Sequence, residues 1–307
     1  MSKNTITYVL ISPARNEAEF IEKTIQSVIK QTVLPARWVI VNDGSTDATA
    51  KIVRPYLRDY PWIVLVDLPV RKERHFAAKV NAFNAGREKV EGLHYHIIGN
   101  LDADVSLDSD HFEFLLDQFR KDPALGVAGT TFREKDGYDS GSDSFEGQTH
   151  VSGQVQIFRR ECFEQIGGYK PNKAGGIDWM AVTTARMMGW KTRSFCERSF
   201  FHHRPLGTAE RGGLASIFSY GEKDYYLGGH PVWEMFRVAY RMTKRPYLFH
   251  GIALGLGYLW ALATRQPRPV SRELIKFHRR EQMQKLRAIL GSLLTFRSYQ
   301  KFEANTN

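Results

Sequence analysis

Two short apolar runs and the corners that end them decide the fold: Tyr8-Val9-Leu10-Ile11, closed by Pro13-Ala14-Arg15-Asn16-Glu17, and Trp38-Val39-Ile40-Val41, closed by Asn42-Asp43-Gly44-Ser45. Each run is four residues long, rich in β-branched side chains and bounded by turn formers, which marks a buried strand rather than a helix. Between them Glu17 to Gln31 carries a helical pattern. Strand, helix, strand is the unit of a parallel sheet with crossover helices.

The rhythm continues outward. A helix is expected from Ala48 to Tyr56, a strand at Ile63-Val64-Leu65-Val66, a helix from Ala77 to Lys89 and a strand at His96-Ile97-Ile98. A helix from His111 to Phe119 and a strand from Leu125 to Thr131 follow. Lys135 to Gly147, rich in Gly, Asp and Ser, reads as an exposed, mobile loop able to lie over a ligand. Strand signals return at Val155-Gln156-Ile157-Phe158, with a turn at Gly167-Gly168. Ala174-Gly175-Gly176 then opens a helix from Ile177 to Met188 that Gly189 stops. The expected topology is parallel with right-handed crossovers, and ligands should gather beyond the carboxyl ends of the strands.

At 307 residues, 42% hydrophobic and 25% charged, the chain belongs to the ordinary globular class rather than the disordered one. Only Cys162 and Cys196 are present, without zinc spacing, so neither a disulfide framework nor a thiolate metal site is expected. The first residues show no apolar core of a secretory signal, and a cytosolic setting is expected. The formal charge of +10 suits phosphorylated substrates, an anionic membrane or nucleic acid, and its basic excess lies from Arg237 onward. No nucleic-acid-binding signature accompanies that charge, so no nucleic-acid partner is expected.

Residues 246–264 form a stretch of nineteen without Asp, Glu, Lys or Arg, flanked by Lys244, Arg245, Arg265 and Arg268 and carrying Gly251 and Gly255 at GxxxG spacing. Ser271 to Leu294 follows as a basic amphipathic helix. The stretch is borderline for a membrane span. Either it packs as a buried helical hairpin or it attaches, peripherally or monotopically, to an anionic membrane face, and the second reading is favoured.

The chemistry lies earlier. Asp102-Ala103-Asp104 follows an apolar strand, so both carboxylates are expected at a strand end, facing solvent on the same side, where a divalent cation could meet diphosphate oxygens. In Asn42-Asp43-Gly44-Ser45-Thr46-Asp47, Gly44 permits a tight turn, Asp47 caps the next helix, and Asp43 stands where a carboxylate can accept from the N–H of a base such as uracil.

Taken in order with Pro13-Ala14-Arg15-Asn16-Glu17 and Gly175-Gly176-Ile177-Asp178, these motifs resemble the family-2 glycosyltransferases of GT-A fold, over roughly Thr5 to Arg204. The resemblance implies a Rossmann-like, mixed but mainly parallel sheet flanked by helices, with residues 1–210 catalytic; the apolar stretch and basic helix beyond it mark 211–307 as a helical extension expected to associate with a membrane. It implies that Pro13, Ala14, Glu17 and Asp43 hold the nucleoside, that Lys79 stands near the diphosphate, and that Asp102 faces the ribose and phosphates. Asp104 would bind Mn2+ or Mg2+, joined by His202 or His203, with Arg204 near phosphate. Asp178 would be the general base toward the acceptor, beside Trp179 as an acceptor-stacking candidate. The family usually carries Glu before that Asp, and Ile177 stands there instead.

The expected reaction is inverting transfer from a nucleoside-diphosphate sugar, uridine favoured, to a saccharide or lipid-linked acceptor in envelope or exopolysaccharide synthesis, on the cytoplasmic side of a membrane. A nucleotidyltransferase would use the same donor groups, but its Gly-rich phosphate loop is missing: Pro13 to Glu17 contains no glycine.

Overall fold

The computed structural model describes residues 6–70, 76–143, 147–204, 213–244 and 247–294. The chain divides into two compact units, described residues 6–204 falling in the first and 213–294 in the second. The expected domain boundary at residue 210 and the flanking Arg245 lie outside the described residues.

The first unit runs β1 (Tyr8–Ala14), α1 (Ile21–Ile29), β2 (Arg37–Asp43), α2 (Thr49–Asp59), β3 (Ile63–Leu68), α3 (Phe76–Glu88), β4 (Ile97–Leu101), β5 (Val105–Ser106), α4 (His111–Lys121), β6 (Leu125–Arg133), α5 (Ser140–Asp143), β7 (Val155–Arg159), α6 (Arg160–Gln165), α7 (Ile177–Met187) and β8 (Lys191–His202). The strands form one sheet in the order β3-β2-β1-β4-β7-β6-β8-β5. Side chains of β1 alternate between two cores. Tyr8 and Leu10 pack with Trp38 and Ile40 under α1 and α4. Val9 and Ile11 pack with Val39 and Val41 against α3 and α7. A strand buried on both faces reads as a continuous apolar run, which is why these strands were visible in the sequence. Helix α1 buries Ile21, Thr24, Ile25 and Val28, one face at the helical period.

Parallel pairing joins β3, β2, β1 and β4. The chain returns from the β3 edge to lay β4 on the far side of β1, so the strand order reverses between β1 and β4. That reversal opens a crevice beyond their carboxyl ends. The parallel expectation stops there: β7 pairs antiparallel with β4 and β6, β5 pairs antiparallel with β8, and only β6 and β8 pair parallel in the outer half. An antiparallel neighbour such as β7 beside β4 needs no right-handed crossover, although β5, α4, β6 and α5 lie between the two strands in the chain.

Two further readings are corrected. Helix α1 starts at Ile21, not Glu17, because the Glu17 carbonyl accepts from the N–H groups of Phe20 and Ile21 at 3.0 and 2.8 Å, closing a turn first. The Lys135 to Gly147 stretch is not all loop: it holds α5, and Asp139 bridges to Arg133. Residues 144–146 of that stretch lie outside the described residues.

The second unit is helical: α8 (Leu214–Tyr226), α9 (Pro231–Met242), α10 (Phe249–Ala263) and α11 (Arg272–Leu294). Pro231 sits at the first position of α9, and His230 Nδ1 accepts from Val232 N at 3.2 Å as its cap. Glycines set the close approach of α10 to α8. A Cβ on Gly257 would stand 2.0 Å from the Phe218 carbonyl oxygen, and one on Gly221 would stand 2.0 Å from that of Leu254. Gly251, half of the expected GxxxG pair, faces Val238 and Met242 of α9. These glycines therefore serve packing inside the unit. Among the described residues no helix is long and apolar enough to cross a membrane.

Candidate active site

Two loops at the crevice are stitched into one shelf. Asn16 takes a left-handed conformation, φ 55°, which an Asn tolerates better than most side chains. From there its N–H donates to Ser45 Oγ at 3.0 Å, and its Oδ1 accepts from Thr46 N at 2.8 Å. Glu17 N donates to Thr49 Oγ1 at 2.8 Å and Ala18 N to Asp47 Oδ2 at 3.0 Å. The other oxygen of Asp47 accepts from Thr49 N at 2.9 Å, one residue ahead of the expected cap position: the N-cap of α2 is Ala48, which has no side-chain cap. Gly44, at φ 63°, lies where any Cβ would stand 2.6 Å from the Pro69 carbonyl oxygen, so the third strand's exit packs on the same shelf. Pro13 and Ala14 pair with Val41 and Asn42 above it, and Asp43, 7% exposed, ends β2 beside them.

Asp102 leaves β4 and turns to a cation rather than to solvent. Its Oδ1 lies 2.5 Å from Lys79 Nζ of α3 and accepts from Asn100 Nδ2 at 2.9 Å. The Asn100 amide also donates to the Gly153 carbonyl at 2.5 Å. Both contacts are acceptors, which settles the amide orientation and leaves Asn100 Oδ1 buried without a hydrogen-bond partner. Burial works against the charge of Lys79, but Asp102, Asp178 and Asp104 outweigh it and hold its pKa above the usual value. Burial pushes Asp102 up, Lys79 pulls it back, and the nearby Asp104 adds to the rise.

Asp104 belongs to a second chain of contacts. Its Oδ2 lies 3.6 Å from His202 Nε2 and 3.9 Å from Arg204 Nε. His202 Nδ1 is held 2.8 Å from Glu134 Oε1, at the end of β6. Arg204 reaches Glu17 Oε2 at 2.5 Å, tying the shelf to the aspartates. Burial would raise Asp104, but His202, Arg204 and Lys79 together hold it below the usual carboxylate value. Burial would lower His202, but Asp104 and Glu134 on either side hold it above the usual imidazole value. His203 points elsewhere: its Nε2 lies 2.7 Å from Ser106 Oγ and its ring stacks on Phe20 at 5.8 Å.

The donor set of Asp104 and His202 fits a divalent cation. One carboxylate and one imidazole face each other, and Glu134 orients the far side of the ring, the outer-sphere arrangement common to metal-bound histidines. The field that raises His202 also favours a cation that would displace its proton. Among the described residues no group of three or more His, Cys, Asp or Glu could hold a metal, so oxygens of a diphosphate would have to complete the sphere.

Asp178 opens α7 in its first turn, after Gly176 in the left-handed region, φ 75°. It is half-buried, and among the described residues its carboxylate makes no hydrogen bond or close ion pair, though its charge reaches Lys79 and Tyr169. Gly153 gives it room, since a Cβ there would stand 2.9 Å from Asp178 Cβ. Trp179 is buried, 8% exposed.

The structure thus brings Asp102, Asp104 and Asp178 around Lys79, with His202 and not His203 toward Asp104. Pro13, Ala14, Glu17 and Asp43 gather on the adjoining shelf. The expectation that both aspartates face solvent is corrected: their side chains are 23% and 12% exposed, because each is turned to a cation from another element. Sequence reasoning missed Asn100, Glu134 and Gly153. Only Asn100 left a signal, as a lone amide inside the apolar run His96 to Leu101.

Comparison with known proteins gives the family and the fold. The family model described as glycosyl transferase family 2 matches residues 9–181. A poly-β-1,6-N-acetyl-D-glucosamine synthase of Staphylococcus epidermidis is 28% identical over 165 residues, 53% of this chain and 35% of that protein. A chondroitin synthase of Escherichia coli is 32% identical over 124 residues, 40% of this chain and 17% of that protein. The chain therefore spans about a third or less of the length of these curated relatives. Among solved structures, the mannosyltransferase PcManGT of Pyrobaculum calidifontis, in complex with GDP-Man and Mn2+, is 19% identical with TM-score 0.55, over 97% of this chain and 83% of that one. TarS residues 1–349 of S. aureus, in complex with UDP-GlcNAc, is 12% identical with TM-score 0.56, over 96% of this chain and 93% of that one. The shared fold is GT-A, as the motifs implied.

Proposed function

The chain belongs to glycosyl transferase family 2, and on that premise we propose that it transfers a sugar from a nucleoside diphosphate, uridine favoured, to a hydroxyl of a saccharide or lipid-linked acceptor, inverting the anomeric centre. The observation that carries this reading is the gathering of three aspartates around Lys79 beside a shelf built from the ends of β1 and β2. The nucleotide-sugar complexes of the structural neighbours and the polysaccharide synthases among the relatives support it.

In this reading Pro13, Ala14, Glu17 and Asp43 hold the nucleoside, and Asp43 accepts from the base. Asn100 and Lys79 fix Asp102 toward the ribose and phosphates, and Lys79 adds positive charge where the diphosphate leaves. Asp104 and His202 would hold Mn2+ or Mg2+, which when bound supplies positive charge to the leaving diphosphate. Asp178, standing in the space that Gly153 leaves, takes the proton of the attacking acceptor hydroxyl as its oxygen bonds to the anomeric carbon. Trp179 backs that side. A single carboxylate in the role of base, Asp178, suits one displacement with inversion.

The acceptor belongs to envelope or exopolysaccharide assembly, and the enzyme works at the cytoplasmic face of an anionic membrane, residues 1–210 catalysing and 211–307 attaching. The basic, apolar second unit supports this part. A screen of nucleotide sugars for binding and slow hydrolysis, with and without Mn2+, tests the whole reading. One donor should bind in a metal-dependent way, and Asp104→Ala should lose it. Release of pyrophosphate with formation of an activated sugar would instead make the protein a nucleotidyltransferase, and no binding of any nucleotide sugar would sink both.

A further inference from the structure

The outward face of α10 is apolar from end to end. Phe249 is 62% exposed, Ile252 45%, Leu256 55%, Leu259 56%, Trp260 56% and Leu262 48%. The first five recur at steps of three, four, three and one, so they line a single helical face. The opposite face is consumed: Gly251, Leu254, Gly257, Tyr258 and Ala261 are buried, with the glycine contacts to α8 and α9 leaving no room for rotation. A soluble surface rarely displays so many large apolar groups together.

Length decides against a span. Fifteen residues at about 1.5 Å each reach roughly 22 Å, short of the roughly 30 Å hydrocarbon core. A helix with one apolar side and one side held by its own domain suits the plane of the membrane interface instead. Trp260, an amphipathic ring, suits that depth.

Charge decides the kind of surface. In the second unit, Lys244, Arg265, Arg272, Lys276, Arg280 and Arg287 are exposed, whereas Glu273 is the one exposed acid among its described residues. Two copies of this unit meeting face to face would oppose like charges, while an anionic lipid surface complements them. We propose that the outward face of α10 is a monotopic docking surface that enters the headgroup and acyl boundary of an anionic bilayer, with Lys244 and Arg265, which flank α10 in the chain, on the headgroups. This rests on the membrane part of the reading above and names the surface that carries it out.

Flotation of the full chain with phosphatidylcholine vesicles, with and without phosphatidylglycerol, tests it. The native chain should float with the anionic vesicles and lose that binding in high salt. The double variant Leu256→Asp, Leu259→Asp, altered only at exposed positions, should bind at least about tenfold more weakly. Brominated lipid should quench native fluorescence, and Trp260→Phe should remove most of that quenching while still floating. A native chain that ignores anionic vesicles, a double variant that floats equally, quenching unchanged by Trp260→Phe, or a dimer in solution that buries Trp260 would each overturn the proposal. Donor hydrolysis without vesicles reads the other question separately. Hydrolysis without flotation removes only the docking surface, and flotation without any nucleotide-sugar binding removes only the transferase.

Discussion

Glu134 Oε1 holds His202 Nδ1 at 2.8 Å, so that Nε2 of the same ring faces Asp104 Oδ2 at 3.6 Å. The carboxylate at the end of β6 therefore aims an imidazole at the end of β8 toward the aspartate after β4. Removing such an outer partner from a metal-bound His typically costs about 10- to 100-fold in metal affinity. Glu134→Ala should raise the Mn2+ concentration for half-maximal donor hydrolysis by that factor, and Glu134→Gln should recover part of it. A titration of activity against Mn2+ checks this, and an unchanged midpoint would place the metal elsewhere.

Asp178→Asn keeps the size and the helix start but removes the proton acceptor. Transfer to acceptor should fall about 10²- to 10⁴-fold in kcat while donor binding stays within a small factor. Equilibrium binding of the donor, measured beside turnover, separates the two effects; a matching loss of both would assign Asp178 to donor binding.

Gly153→Ala tests the seat of that base without touching its chemistry. The new methyl group would start 2.9 Å from Asp178 Cβ, so Asp178 or the β7 approach must shift. Overpacking of this kind costs about 1–3 kcal/mol. We expect a modest drop in melting temperature, a clear loss of kcat and retained donor affinity, read by a thermal melt and steady-state kinetics on one preparation.

The second unit should lose stability as pH rises. Burial, with the charge of Asp224, pushes the Glu234 carboxyl up to about 8 against the pull of Arg237, and Glu234 Oε1 is buried without a hydrogen-bond partner. The folded pKa lies above the unfolded one, so between them the folded state binds more protons. That contribution is complete below about 4.5 and disappears as pH climbs toward 8. Melts between about pH 5 and pH 8 should show falling stability for the native chain and a flatter profile for Glu234→Gln, which has no proton to lose.

The parallel half of the sheet was legible because strands such as β1 and β2 are buried on both faces and therefore continuous apolar runs. The motif aspartates were legible because they end such runs. β8 was not: Lys191 to His202 mixes Lys, Arg and Glu with aromatics, its burial alternates irregularly, and its register against β6 shifts at Thr130 and Thr131. The two-residue β5 carries no pattern at all. Glu134 was missed because its partner lies 68 residues away in the chain, and nothing local to Glu134 announces an imidazole. The choice between His202 and His203 depends on which ring the pleat of β8 turns inward, and irregular burial hides that alternation in the sequence.

The stitching of Asn16 to Ser45 and Thr46 has a calorimetric consequence. A nucleoside arriving at a shelf already closed by hydrogen bonds between its two loops finds little chain disorder left to quench. Free nucleoside diphosphate and intact donor should then show similar, small ordering entropies, with affinity differences arising in heat. Asn16→Ala, which opens the seam, should shift that balance toward an entropic penalty and a faster release of nucleotide.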